Sequence, residues 1–557
     1  MGTNPFSIGS TIGGAATIGP RTGAGSGGTG PTTSGGTRSR VEFDIDGWVD
    51  FSTDIVGPVK ASWGIHGNTP KDRVADPGEL SFEMDNTENN RGGVRGYYSP
   101  GGGAALAGFD IGLPVRLVLN HPLYGDKIKW QGTIDQVIPN PGVERPTVQV
   151  HCVDWMDEAA RAKLKGLAVQ TSVQSDALFA TLVAAVDRQP PGGTISGTGS
   201  DVYPYALDNT QDETSRVLSE LQKLVMSEYG IMFVSAGVAV FEGRKRRGGE
   251  GSIRFAMDED EQILGMTVTH ARDNVINRCQ VSIHPRRRDA AATSVLFNLG
   301  SSIEIQRNTS VTINCPYRDP AQVAQRVGGV DMVAPVVTTD YKFNSAADGS
   351  GSDYSAQLTV TPTFGGNSAD VTITNNGPND GHVWFLQLRG RGLYDFEPVL
   401  ADLNDADSLA TYGENVYGYD MPYQSSPSNA VDLAQFIISL HKDATTRVET
   451  VTFMANWDDE TVEQAFNAEI SDRISVTSGS VGLVADPYFI NGVTLELRPE
   501  GVVMVTWDLA PVNKAQFWVL DLPGRTELDE TTVLGYGLFA VGWVLDSSTL
   551  NSNTFLN

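Results

Sequence analysis

A chain of 557 residues carrying a formal net charge of −27 is unsuited to binding nucleic acid by neutralising phosphates, though such a surface would let DNA pass without sticking. Its 40% hydrophobic content is enough for real cores, the length predicts roughly three to five domains, and 61 glycines with 28 prolines favour turns and an all-β bias. No run approaches the ~18 apolar residues of a membrane span, so no stable membrane insertion is expected. The N-terminus lacks the basic-then-apolar pattern of a secretory signal.

Residues 1–40 are a low-complexity, Gly-rich N-terminal arm with no acid and with Arg21, Arg38 and Arg40. Alone in water it cannot bury enough to fold. It reads either as a flexible tail or as an arm that orders against a neighbouring subunit through Phe6, Ile8, Ile12 and Ile18. Its removal is then expected to impair assembly rather than to lower the melting temperature of the body.

Residues 41–156 read as a first β domain. Val41, Phe43 and Ile45 alternate with acids, Val115, Leu117 and Leu119 alternate again, Ile128 and Trp130 start a strand ended near Gly132, and Val148, Val150 and Cys152 form another. The loop Asn89 to Gly108 is rich in Gly and Tyr, either an excursion or a contact loop. Residues 157–333 predict an α+β middle domain. It opens on a helix at about Ser175 to Asp187, stopped by Pro190-Pro191.

The best-defined piece follows, a helix–hairpin at 212–244. Val217, Leu218, Leu221, Leu224 and Val225 recur at helical spacing, behind Asp212 and Glu213 at the positive end of the helix dipole. Gly230 is expected to stop the helix at positive φ, and Ile231 to Phe241 to fold back over Ala236-Gly237. The basic run Arg244 to Arg247 ends the unit.

Strands return at Met266 to Thr269, Cys279 to Ile283 and Ser310 to Asn314, with a short helix predicted from Ala321 to Val327. Residues 334–392 read as an inserted β segment, with strands at Val336-Val337, Leu358 to Val360, Val371 to Ile373 and Trp384 to Leu388. Residues 393–448 are a mixed segment with a helix at 429–441. Residues 449–557 form a second β domain and C-terminal tail, with alternation at Val451 and Phe453, Ile474 and Val476, and Val493 to Trp507. The fold class is therefore mainly β (α+β): several antiparallel barrel or sandwich domains with a few inserted amphipathic helices.

The sequence offers no catalytic residue, cofactor site or metal site. The seven histidines show no metal spacing, and no GxSxG or P-loop occurs. Cys152, Cys279 and Cys315 are widely spaced and read as buried thiols made in a reducing compartment. Asp348, Ser350, Ser352 and Asp353 lack the spacing and closing Glu of a calcium loop and read as a solvated turn. Asp258 to Glu261 and Asp458-Asp459-Glu460 read as solvated turns and helix N-termini, although a glycosidase acid pair is recognised only by its separation in space. Tyr97-Tyr98, Tyr203 with Tyr205 and Tyr417 with Tyr419 could meet sugar or protein, or serve packing.

The order of several motifs resembles that of the hub proteins at the tip of bacteriophage tails, also called minor tail or baseplate hub proteins. Gly78 to Asn86 is similar to their "xLSFxLDN" strand, with Met84 in place of Leu. Leu113 to Leu117 followed by Trp130 to Asp135 resembles the strand pair leading to an "xGxID" turn. The helix–hairpin, Asp273 to Val281 ("NxxNRxxV"), Glu469 to Val476, Tyr488 to Trp507, Phe517 to Leu520 and Arg525 to Tyr536 continue the likeness. It covers about 40–545 and departs at 1–40 and at 334–392.

The resemblance implies a non-enzymatic structural virion protein, without cofactor, assembled in the host bacterial cytoplasm and located at the tail tip. It implies a homotrimer whose tail-tube-like β domains at both ends adapt six-fold tube symmetry to three-fold tip symmetry and line the DNA channel. The implied partners are distal tail or tube ring proteins, the end of the tape-measure protein, and tail fibre or receptor-binding proteins. In such a channel the runs Arg244 to Arg247 and Arg286 to Arg288 are expected to face neighbours or solvent, away from the DNA. A tail-associated peptidoglycan hydrolase and a receptor- or carbohydrate-binding tail protein are the alternative classes.

Overall fold

The computed structural model describes residues 38–142, 145–164, 166–210, 215–248, 252–499 and 501–512, with two short strands at Gln516–Phe517 and Thr532–Val533. The fold is mainly β, with several antiparallel sheets and a few short helices. The arm at 1–37, Asp212 and Glu213, and most of the motifs at 518–536 lie outside the described residues.

A thirteen-stranded sheet organises the molecule. From one edge its strands run Ile263–Thr269, Arg447–Met454, Val503–Pro511, Leu483–Leu497, Ile55–Gly64, Glu79–Asp85, Thr147–Val153, Gly125–Asn140, Pro114–His121, Arg38–Asp44 and Trp48–Asp50. Phe255–Asp258 and Arg473–Ser478 pair alongside, off this path. The blocks that periodicity separates at 41–156 and 449–557 are thus one hydrogen-bonded sheet. Their seam is the antiparallel pairing of Val59–Gly64 with Gly492–Leu497. One apolar core runs beneath both, from Phe43, Leu117 and Trp130 to Phe453, Ile490 and Trp507. Gly64 sits on the seam at φ +94, where a Cβ would lie 2.7 Å from the Asn491 carbonyl oxygen, so a side chain there would force the strands apart.

The hydrogen bonding corrects several expectations. The strand expected to end near Gly132 continues to Asn140. Gly132 instead lets the chain approach Val153, whose carbonyl oxygen would lie 2.1 Å from a Cβ. The Asn89 to Gly108 loop is folded onto its own domain. Tyr98 is fully buried against Phe51 and Phe109, its hydroxyl bonds Asp54, and its backbone N–H donates to Asn86 Oδ1 at 2.9 Å. No helix forms at Ala321 to Val327; those residues make turns closed by a bridge between Arg318 and Arg326. Val336-Val337 contributes only an isolated bridge to Tyr341.

A second core packs the helices Trp155–Arg161, Ser175–Ala184 and Val217–Glu228 against the hairpin Ile231–Ser235/Val238–Glu242. Val217, Leu221, Leu224 and Val225 are all fully buried, as their spacing predicts. The hairpin turn has Ala236 and Gly237 both at positive φ, matching the twist of the strands. The helix ends differently from expectation: Tyr229, not Gly230, takes the left-handed conformation, at φ 56. Gly230 is required for another reason, since a Cβ there would lie 2.5 Å from the Glu242 carbonyl oxygen.

In a third core, helix Pro427–His441 covers one face of the sheet Val399–Asn404, Arg278–Ile283 and Val416–Met421. In a fourth, the long strand Gly381–Asp395 pairs with Arg286–Arg288, Ser294–Asn298, Ile303–Ile305, Gly328–Val333 and Tyr341–Asn344. Strands from before residue 334 are therefore integral to the unit that contains the 334–392 segment. Periodicity could not reveal this, because register joins residues far apart in sequence.

Candidate functional site

The helix Val217–Glu228 delivers Glu228 into the interior, where its side chain has no exposure. Glu228 Oε2 accepts from Ser175 Oγ at 2.9 Å and from the Asp201 N–H at 3.2 Å, and Oε1 accepts from the Ser200 N–H at 3.0 Å. Arg244, where the hairpin ends, forks onto Asp201 with two bonds of 2.7 Å and lies 3.6 Å from Glu228 Oε2. Burial lowers the pKa of the guanidinium, but Asp201's hydrogen bonds and charge, then Glu228's charge, hold it above its ordinary value. Gln424 ties the same group to the third core by donating from Nε2 to Asp201 Oδ2 and, at 3.3 Å, to the Ser227 carbonyl.

A second staple is built the same way. Arg286 Nε meets Asp208 Oδ2 at 2.7 Å and Asp395 at 3.2 Å, while Nη1 donates to the carbonyls of His284 and Pro422 at 2.7 and 2.6 Å. It thereby joins the helical core, the fourth core and the loop after Val416–Met421.

Between these units lies a cavity lined by Pro70, Arg73, Tyr229, Arg247, Phe436 and Phe489, among others. Arg73 stacks 3.3 Å from the Tyr229 ring centre. Arg247 donates to Ser471 Oγ at 2.9 Å and Asn491 Oδ1 at 2.7 Å, and burial lowers its pKa to about 9. His441 closes the group. Burial, then the charge of Arg447, lowers its pKa to about 3, and its Nδ1 accepts from Arg447 Nη1 at 2.9 Å.

The expectation for the two basic runs is therefore corrected. Arg244, Arg247 and Arg286 turn inward as joints between cores, while Lys245, Arg246 and Arg288 are exposed. The local signal was indistinguishable from a solvated run, and Asp201, Glu228 and Asp208, the partners that make the joints, carry no mark in sequence. Gly243 hints at it: a Cβ there would lie 3.0 Å from Glu228 Oε1.

The remaining candidates resolve into structural roles. Asp458 caps helix Asp459–Asn467 in a reciprocal box with Thr461. Glu259 binds Ser478 and Ser480. Asp348 accepts from Ser350 within its own turn. Tyr98, Tyr203 and Tyr419 are buried, and Tyr205 and Tyr417 are half-buried. All three cysteines are buried and unpaired, and burial raises Cys279 and Cys315 to about 12.

His441 predicts a pH effect. The unfolded chain protonates it near its ordinary value of 6.5, whereas the folded chain resists protonation down to about 3. The stability it contributes is complete above about pH 6.5 and falls as pH drops towards 3, by up to about 1.4 kcal/mol per pH unit. His441→Gln, which keeps an acceptor for Arg447, should flatten the dependence between pH 7 and 4 by one proton in denaturant unfolding. An unchanged slope would mean that His441 protonates without loss.

These features define a multi-core, mainly β protein whose charged clusters join structural units and, among the described residues, form no group suited to metal binding. No family model and no curated protein matches the chain. Among solved structures it is similar to three tail proteins, two of them described as prophage proteins. One is the 43 kDa tail protein of prophage MuSo2 from Shewanella oneidensis, with TM-score 0.45 and 8% identity over 86% of this chain and 99% of that one. Another is a tail protein from Neisseria meningitidis MC58, with TM-score 0.44 and 7% identity over 85% and 96%. The third is prophage tail protein gp18 from Listeria monocytogenes EGD-e, with TM-score 0.39 and 7% identity over 84% and 94%.

Proposed function

We propose that the chain is a non-enzymatic structural protein of a phage tail tip, the hub that closes or extends the tail tube and forms part of its DNA channel. The observation that carries the reading is the shared sheet: strands from both ends of the chain lie side by side through the seam of Ile55–Gly64 and Leu483–Leu497. That is the arrangement needed if each subunit presents two tube-like blocks to a ring. The ordered motifs support it, with Glu79–Asp85 and Thr147–Val153 packed into the same sheet as Tyr488 to Trp507. The sheet is open. Among the described residues, Ile263–Thr269 pairs only with Arg447–Met454, and Trp48–Asp50 only with Arg38–Asp44. Such edges invite pairing with another copy. The net charge of −27 suits a channel that does not retain DNA.

The test is mass in solution. Light scattering or native mass spectrometry should find trimers, or monomers that become trimers on a ring partner. A stable closed dimer would end this reading.

A further inference from the structure

One end of the large sheet displays apolar side chains to solvent. Leu123 is 74% exposed and Tyr124 36%, in the turn between Pro114–His121 and Gly125–Asn140; Trp457 is 47% exposed. Leu123, Tyr124 and Trp457 belong to one surface. Tyr124 packs on Phe466 of helix Asp459–Asn467, with ring centres 5.6 Å apart. Trp457 leads into that helix. The rim is acidic and exposed, made by Asp459, Glu460, Glu463, Asp260 and Glu261. Burial, then the charges of Asp458, Glu261 and Glu463, raises the Glu460 carboxyl, which places Glu460, Glu261 and Glu463 in one field.

The chain enters the fold at this rim. Arg38, the first residue of its strand, lies opposite Asn120, beside the Leu123–Tyr124 turn, and Arg40 pairs with Asp126 at 2.5 Å. Arg38 and Ser39 also share a groove with Gly501 and Val503. Asn456, next to Trp457, donates to the Gly501 carbonyl at 2.8 Å. The 37 residues before Arg38 contain no acid, one arginine, Arg21, and the apolar residues Phe6, Ile8, Ile12 and Ile18. At about 3.3–3.6 Å per extended residue they reach this surface on their own copy or on the next.

We propose that this end surface is the docking site for residues 1–37, with Phe6, Ile8, Ile12 and Ile18 covering Leu123, Tyr124 and Trp457 and with Arg21 against the acidic rim. The match is apolar contact with a basic residue over acids, which needs no regular structure in the segment. This stands apart from the tail-tip reading, since it concerns where the chain's own N-terminal segment goes.

The experiment uses the full chain with a photo-crosslinking benzophenone amino acid replacing Phe6 or, separately, Ile12. Peptide mapping after irradiation should place the crosslinks at 121–124 and 457–463. Mixing isotope-labelled and unlabelled chains assigns them to the same copy or its neighbour, and either supports the proposal. Leu123→Ser with Trp457→Ser, and separately Glu460→Lys with Glu463→Lys, should each reduce the yield several-fold. All four positions are exposed, so circular dichroism should show the fold unchanged. Crosslinks elsewhere on the body, no crosslinks, or yields indifferent to both double variants would overturn it.

Discussion

Arg244→Met should lower the unfolding free energy by about 3–5 kcal/mol, the range found when one partner of a buried ion pair is removed. The methionine can fill the volume but leaves Asp201 and Glu228 without their counter-charge, at 11% and 0% side-chain exposure. Glu228 keeps the donors Ser175, Ser200 and Asp201 but loses its counter-charge, and Asp201 is stripped of its bidentate partner and keeps Gln424. Adding Asp201→Asn to Arg244→Met should recover part of it, because a neutral amide no longer carries an uncompensated charge. Urea unfolding measures the total, and amide exchange in Val217–Glu228 shows where the structure opens. A loss below about 1 kcal/mol would show that water or rearranged side chains compensate, and that the joint is not a principal tie between cores.

Trp507→Ala should cost about 3–5 kcal/mol by cavity formation and lost burial. Trp507 is 1% exposed and lies where the core passes from the last strands to the first. Its ring meets Phe453 edge-on at 4.7 Å between centres, and its backbone pairs with Val451 on one side and Val493 on the other. The effect should reach the far block: amide protection in Glu79–Asp85 and Thr147–Val153 should fall together with that of Arg447–Met454. Trp457→Ser is the control. That tryptophan is 47% exposed, and its loss should change stability by no more than about 0.5 kcal/mol. If Trp507→Ala loosens only the strands after Arg447, the two blocks unfold separately and the seam is weaker than its hydrogen bonding implies.

A core continuous from Phe43 to Trp507 holds the two blocks in fixed relation. The inward arginines act to the same end, setting the helical and inserted units against the sheet.

The sequence by itself determined the local elements. Val217, Leu221, Leu224 and Val225 bury together because residues three and four apart share a helix face. Val148, Val150 and Cys152 do so because strands alternate. Ala236-Gly237 could be read as a turn, and Asp458 to Glu460 as the start of a helix, because both rest on neighbours in the chain. Only the tertiary structure decided which strands pair, since a ladder between Val59–Gly64 and Gly492–Leu497 spans more than four hundred residues with no mark in either segment. It also decided the fate of the charges. Arg244 and Arg246 look alike in a basic run, yet one is clamped between Asp201 and Glu228 and the other is exposed. A charge is set by the dielectric and the partners around it, and both come from residues that the fold brings together from elsewhere.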